Sequence, residues 1–171
     1  MEKSDQDERY SAAAAEHGAA LQRLARATEA NPERQRDLLQ DMHVALWRSF
    51  AAFDGRCSVR TWVYRVAHNV AASHVDKERR THRGAVTLDA VEHLSDGRSV
   101  SLDHETGDAL NRLYTLIAAM PMPDRQILTL YLEGLDAAAI AEITGLSPGA
   151  IATRISRLKT HLAKHFQEIS P

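Results

Sequence analysis

Thr61, Tyr64, Arg65, His68 and Arg79 carry hydroxyl, ring and cationic groups, and at 100° per residue they fall on one side of a helix spanning residues 59–83. Guanidinium groups hold phosphates and aromatic rings stack on bases, so this face suits binding to nucleic acid. The loop FDGRCS, Phe53 to Ser58, leads into it, and Lys77, Arg79, Arg80 and Arg83 follow on the far side. Val59, Trp62, Val63, Val66 and Val70 form the opposite, apolar stripe that would lie on a core. The plainer alternative is the solvated face of an ordinary bundle helix.

Catalytic patterns are absent from the sequence. It has no Gly-rich phosphate loop, no nucleophile elbow and no paired Cys and His. Of the nine histidines, His161 and His165 stand at i,i+4, yet no HExxH-type glutamate or third ligand accompanies them. His68 and His74 are six positions apart and face different sides. Asp37 and Asp41 recur at helical spacing with Gln40, Val44 and Arg48, a pattern that reads as a docking surface or as solvated charge. The expectation is a binding protein, not an enzyme, with no cofactor and no metal.

These residues need helices to position them. Few glycines and prolines against much Ala, Leu, Arg and Gln point to an all-α fold. Residues 1–10 read as a disordered polar tail, and a first helix runs from Ser11 to Thr28, ending before Asn31-Pro32. The second runs from Pro32 to about Phe50, with Leu39, Met42, Leu46, Trp47 and Phe50 inward. Residues 84–108 hold three glycines, many Ser and Asp and no sustained period, which predicts an acidic flexible linker between two small helical domains, 11–83 and 109–171. In the second domain Leu110, Leu113, Leu116 and Ile117 face inward on the first helix. Pro123 and Gly134 bracket the next, Asp136 caps a short one, and Ser147-Pro148 open the last. A short helix, the turn at Gly145 and a helix with Thr153, Arg157, Thr160 and Lys164 outward, Arg154 and His161 flanking, describe a helix-turn-helix.

The net charge of −2 conceals an uneven distribution. Residues 41–83 carry 8 basic and 4 acidic side chains, and residues 84–117 carry 2 and 6. Local fields therefore matter more than the total. Cys57 is the only cysteine, which excludes an internal disulfide and fits a reducing compartment. A charged N-terminus and the lack of a long apolar run predict a cytoplasmic chain with no membrane insertion.

Together the segments DLLQDMHVALWRSFAAFDGRCSVRTWVYRVAHNV and MPMPDRQILTLYLEGLDAAAIAEITGLSPGAIATRISRLKTHL resemble regions 2 and 4 of bacterial sigma factors of the extracytoplasmic-function group. The resemblance implies an alternative sigma factor that binds core RNA polymerase and directs promoter-specific initiation. It places Asp37, Gln40, Asp41, Val44 and Arg48, with Trp47, on the polymerase-docking helix. It assigns the minus-ten element to Asp54, Arg56, Cys57, Ser58, Arg60, Thr61, Tyr64, Arg65, His68, Asn69, Arg79 and Arg80, the loop at 54–58 receiving a flipped promoter base. Trp62 matches a signature tryptophan. The minus-thirty-five element falls to Ser147, Thr153, Arg154, Arg157 and Lys159 in the helix-turn-helix. The rival reading is a stand-alone helix-turn-helix regulator, which would bind duplex DNA alone and as a dimer.

Two departures stand out. Ala152 occupies a position usually basic in the family. The acidic run that precedes the docking helix in the family, of the type Asp-Ala-Glu-Asp, is here Arg34-Gln35-Arg36-Asp37. Two cations on a surface meant for a basic partner remove attraction and add repulsion. A phosphate would offset them, which suggests a Ser/Thr kinase acting on Ser49 or Thr61; inhibition by an anti-sigma factor is the alternative. Limited proteolysis is expected to cut first between Gly84 and Asp108; resistance there with early cutting inside residues 59–80 would overturn the two-domain reading.

Overall fold

The computed structural model describes residues 3–83 and 104–167. Local chemistry sets the helix limits. In α1 (Lys3–Thr28) the chain runs until the turn at Asn31, whose side chain accepts the Glu33 and Arg34 amides and starts α2 (Pro32–Ser49), with Pro32 supplying a helical φ and no amide to orphan. A 3-10 turn, Phe50–Ala52, leads to the loop around Gly55 at φ +76°. Ser58 then accepts the Thr61 amide at 3.1 Å and caps α3 (Val59–Arg83).

The second half comprises α4 (His104–Ala119), α5 (Asp124–Leu132), α6 (Ala137–Thr144) and α7 (Pro148–Gln167). Asp136 caps α6 by accepting the Ala139 amide, and Gly145 ends it in the left-handed conformation, φ +76°. Ser147 accepts the Ala150 amide at 3.2 Å at the head of α7. All described elements are helical, as expected of an all-α chain.

Each half has its own core. Leu21, Leu24, Leu38, Met42, Leu46, Phe50, Val63, Ala67 and Ala71 pack between α1, α2 and α3. Ile117, Ile127, Leu128, Leu130, Ile140, Ile151 and Leu158 fill the space between α4 and α7, and Ala20, Ala27 and Tyr64 of the first half join this second cluster. The two halves therefore share a seam, with α1 against α4 and α5 and α3 against α6.

Several boundaries and faces differ from expectation. The segment read as a disordered tail is helical from Lys3, because it has partners on α2. Gln6 donates to the Trp47 carbonyl at 2.7 Å, Trp47 Nε1 donates to Asp7 at 2.8 Å, and the Tyr10 hydroxyl lies 3.1 Å from His43. Most of the expected linker lies outside the described residues, and its last part, from His104, belongs to α4. On α2, Leu38 is fully buried and Leu39 only partly; on α3, Val63, Ala67 and Ala71 make the closest approach, with Trp62, Val66 and Val70 at the margin and Val59 exposed.

Phe50 is 0% exposed and Val44 is 42% exposed. Phe50→Ala should cost roughly 3–5 kcal/mol in urea denaturation, whereas Val44→Ala should stay within about 0.5 kcal/mol. Equal losses would misplace the α2 faces.

Candidate nucleic-acid interface

On α2, Asp37, Gln40, Asp41, Val44 and Arg48 are all exposed along one face, two carboxylates beside an apolar residue and a cation. Such a strip suits a partner with matching basic and apolar groups. The two arginines preceding it behave differently. Arg36 is exposed, but Arg34 pairs with Glu29 at 3.4 Å and with Glu78 on α3, and His74 holds the same Glu29 at 2.9 Å. Burial alone would raise the Glu29 carboxyl. The Asn31 amide, the His74 bond and the Arg34 charge outweigh it and hold the group below its ordinary range. Arg34 thus fastens the α1–α2 turn to α3, and the expected repulsion of a partner by both arginines reduces to Arg36.

Around α3 the expected minus-ten residues divide by exposure. Asp54, Arg56, Ser58, Arg60, Asn69, Arg79 and Arg80 are exposed; Cys57, Thr61 and Arg65 are half-buried. In the loop, Asp54 accepts the Arg56 amide at 3.1 Å and pairs with its guanidinium at 2.9 Å, a closed local turn. Asn69 lines a shallow cleft between α2 and α3 with Asp41, Val70, Ser73, His74 and Lys77. Ser73 and Lys77, at i+4 and i+8 from Asn69 on α3, were not assigned to the site although helical spacing alone places them beside it; the α2–α3 contact adds Asp41.

Tyr64 and His68 correct the expectation. They are 4% and 1% exposed, because the second half of the chain covers them. The Tyr64 hydroxyl meets Glu133 at 3.5 Å, and Gln126 donates to the His68 carbonyl at 3.3 Å. Burial, then the Glu133 carboxylate, push the Tyr64 phenol up. In this conformation neither ring can stack on a base.

The two hydroxyls considered for phosphorylation are also engaged. Ser49 Oγ donates to the Leu46 carbonyl at 2.7 Å and accepts from Trp62 Nε1 at 2.9 Å, so a phosphate there would break both bonds. Thr61 Oγ1 accepts from Ser58 at 3.0 Å within the α3 cap, which leaves its own hydrogen uncommitted.

On α7, Ser147, Thr153, Arg157 and Lys159 are exposed. Ser147 is the helix cap, Thr153 donates to the Gly149 carbonyl at 3.0 Å, and Lys159 lies 5.8 Å from the Tyr131 ring centre. Arg154 departs from expectation: it pairs with Asp124 of α5 at 2.6 Å and so braces α7 against its neighbour. Arg157 is the arginine of this set that reaches solvent without such a tie.

These segments, an exposed strip on α2, a basic helix α3 and a helix-turn-helix, coincide with known families. Residues 14–81 match Sigma-70 region 2 and residues 110–162 match Sigma-70, region 4. A probable RNA polymerase sigma-C factor of Mycobacterium bovis is 34% identical over 131 residues, covering 74% of this chain and 66% of the relative. This chain belongs to the extracytoplasmic-function group of the sigma-70 family.

A second relative in the group, the sigma-E factor of Haemophilus influenzae, is 26% identical over 141 residues, 78% of this chain and 75% of its own length. Two solved structures share the fold: CnrH in complex with the cytosolic domain of CnrY, TM-score 0.67, 23% identity, 94% and 89% coverage; and RpoE in complex with the anti-sigma factor NepR from Bartonella quintana, TM-score 0.67, 21% identity, 87% and 91% coverage. Among the described residues of this sigma-70 family member no helix is long and apolar enough to cross a membrane, and no three His, Cys, Asp or Glu side chains converge on a metal-binding geometry.

His68 provides a physical test of the seam. Both ring nitrogens are buried without a hydrogen-bond partner, and burial lowers the imidazole from 6.5 to about 3. The unfolded chain then binds the extra proton, so this contribution to stability is present above pH 6.5 and is lost as pH falls from there toward 3. Between pH 7 and pH 5 the loss should be about 2 kcal/mol. His68→Phe is expected to flatten that part of the slope in urea denaturation; an unchanged slope would put the imidazole in water.

Proposed function

We propose that this sigma-70 family member binds core RNA polymerase and directs promoter-specific transcription initiation. The docking strip of α2 engages polymerase, the 54–58 loop and α3 read a melted minus-ten element, and α7 reads the minus-thirty-five element. The observation that carries the reading is the presence, in one chain and in family order, of an exposed Asp37–Arg48 strip, a helix with basic residues at its open end and a helix-turn-helix. A stand-alone regulator would have no use for that strip.

Base contacts specify and phosphate contacts position. Asn69, in its cleft, falls to the first class, and Arg79 and Arg80, on the open end of α3, to the second. In the major groove Arg157 is the specifying cation and Arg154 the brace. Control by an anti-sigma factor is supported by one solved neighbour, which is bound to the anti-sigma factor NepR. If a Ser/Thr kinase acts as well, Thr61 is the hydroxyl with a free hydrogen to lose, and Ser49 is not.

In transcription with core polymerase on a genomic fragment library, the protein should select a defined promoter set. Asn69→Ala should shift preference at one minus-ten position, whereas Arg79→Ala should weaken all promoters alike and lower the salt slope by about 1. Arg157→Ala should cost roughly 1–3 kcal/mol of minus-thirty-five discrimination. No stimulation of core polymerase on any fragment would sink the proposal.

A further inference from the structure

The head of α7 offers a duplex few hydrogen-bond donors. In its first two turns, Pro148 to Ile155, only Thr153 and Arg154 have side chains that can donate, and both are turned back on the protein. Thr153 Oγ1 donates to the Gly149 carbonyl at 3.0 Å, and Arg154 Nη1 pairs with Asp124 of α5 at 2.6 Å. At 100° per residue Arg154 also lies about 160° around the helix from Ala152. Ile151 is fully buried and anchors this end of α7 to the core. What the two turns expose is small and apolar: Pro148, Gly149, Ala150, Ala152 and Thr153, whose hydroxyl hydrogen is committed to the helix and whose γ-methyl is left for a ligand.

Spacing sets the order of groups on this face. Ala152 and Thr153 stand about 100° apart, and Ser156 and Arg157 follow one turn on at i+4, all four exposed. Beside Ala152 a shallow hollow opens between the head of α6 and α7, with Ala137, Ala152 and Ile155 as its apolar lining and Ser156, Lys159 and Thr160 as its polar lining. A long side chain at position 152 would fill that hollow, and alanine leaves it open. The first residues of the second helix of a helix-turn-helix meet base edges. In the major groove thymine is the base that shows a methyl, at C5, and alanine and the threonine methyl match it, whereas a guanidinium matches O6 and N7 of guanine.

We infer that α7 reads its duplex by methyl contact: Ala152 and Thr153 pack on the C5-methyl groups of one or two thymines, and Arg157, one turn further on, takes a neighbouring guanine. Upstream specificity then rests on an apolar contact with which no donor at the helix head competes. Ala152 is the specificity-determining position, since it leaves room for the methyl, and Thr153 keeps its own methyl available through the bond to Gly149. This inference rests on the reading of α7 as the minus-thirty-five helix and adds the base that the helix selects.

The test uses the full chain with core polymerase. Transcription from promoters randomised upstream selects the preferred minus-thirty-five element, which is then remade with each thymine replaced in turn by deoxyuridine, a change that removes only the C5-methyl. At one or two positions uracil should weaken promoter binding by the holoenzyme about fourfold, the equivalent of one buried methyl group. Thr153→Ser, which keeps a hydroxyl for Gly149 and deletes the methyl, and Ala152→Gly should each lose a similar factor on the thymine promoter and lose nothing further when uracil stands at the position each one reads. Ala152→Arg should move the selected base at its position from thymine to guanine. If Ala152→Gly weakens α7 itself, Thr153→Ser against the parent chain on the thymine and uracil promoters decides alone. Uracil without effect at every upstream thymine, a selected element without thymine, or the same loss from uracil in the variants as in the parent overturns the methyl contact. Failure to stimulate core polymerase on any fragment would overturn the proposed function instead; selection of the same randomised duplexes by the chain alone, with the same uracil substitutions, then decides the methyl contact.

Discussion

The burial of α3 on two sides governs most of what this chain can do. Val63, Ala67 and Ala71 pack into the first core, and Tyr64 and His68, one position on in each case, go under the second half. At 100° per residue these five positions span an arc of about 140°, wider than the single apolar stripe of a surface helix. A helix with so wide a buried arc serves as the common wall of two cores. Its remaining surface, with Asn69, Arg79 and Arg80, is what is left for a ligand.

A count of basic residues overstates the positive field available to a nucleic acid. Arg34, Arg154 and Arg23 each end on a carboxylate of the same chain, and Arg60, Arg65 and Arg125 each end on a backbone carbonyl. Burial also lowers the Arg125 guanidinium below its ordinary value, with only the Glu29 charge acting against it. These cations brace helix ends and the seam. Arg36, Arg48, Lys77, Arg79, Arg80, Arg157 and Lys164 remain exposed, on α2, the distal part of α3 and α7. Most of the exposed cations thus lie on α2, distal α3 and α7, with Arg9 on α1 and Arg112 on α4 apart from them, while those nearest the seam brace the structure.

Local signals were legible in the chain because they act over a few residues. Asn31-Pro32, Asp136, Gly145 and Ser147-Pro148 each cap or end a helix where their chemistry predicts. The helix-turn-helix and the exposed face of α2 followed from the same short-range periodicity. Long-range choices were not legible. Hydropathy ranks Val59 and Val70 above Ala67 and Ala71, yet helix packing selects the small side chains for closest approach and leaves Val59 exposed. Nothing within four residues of Arg154 or Arg34 reveals that Asp124 or Glu78 will meet it. His68 read as a ligand-facing ring because its neighbours on that face are polar, and only long-range packing of the chain buries it. The helical start at Lys3 likewise depends on Trp47 and His43, some forty residues away.

The composition of the seam decides how readily the halves can part. Its apolar part is small, Ala20, Ala27 and Tyr64 against the second core, and its remainder is hydrogen bonds and ion pairs at the rim. Interfaces of that kind within a chain are poised for domain motion, because water or another anion can replace the bonds that are lost. The first core has no such alternative partner: Phe50, Met42 and Leu38 lose their packing outright if they are exposed. Cooperative stability thus resides in the α1–α2–α3 bundle and in the α4–α7 unit, and adaptability resides between them. The proposed function, with two separated DNA elements held on one polymerase, calls for that division, since a seam as apolar as either core would fix the spacing of α3 and α7 before any promoter arrived.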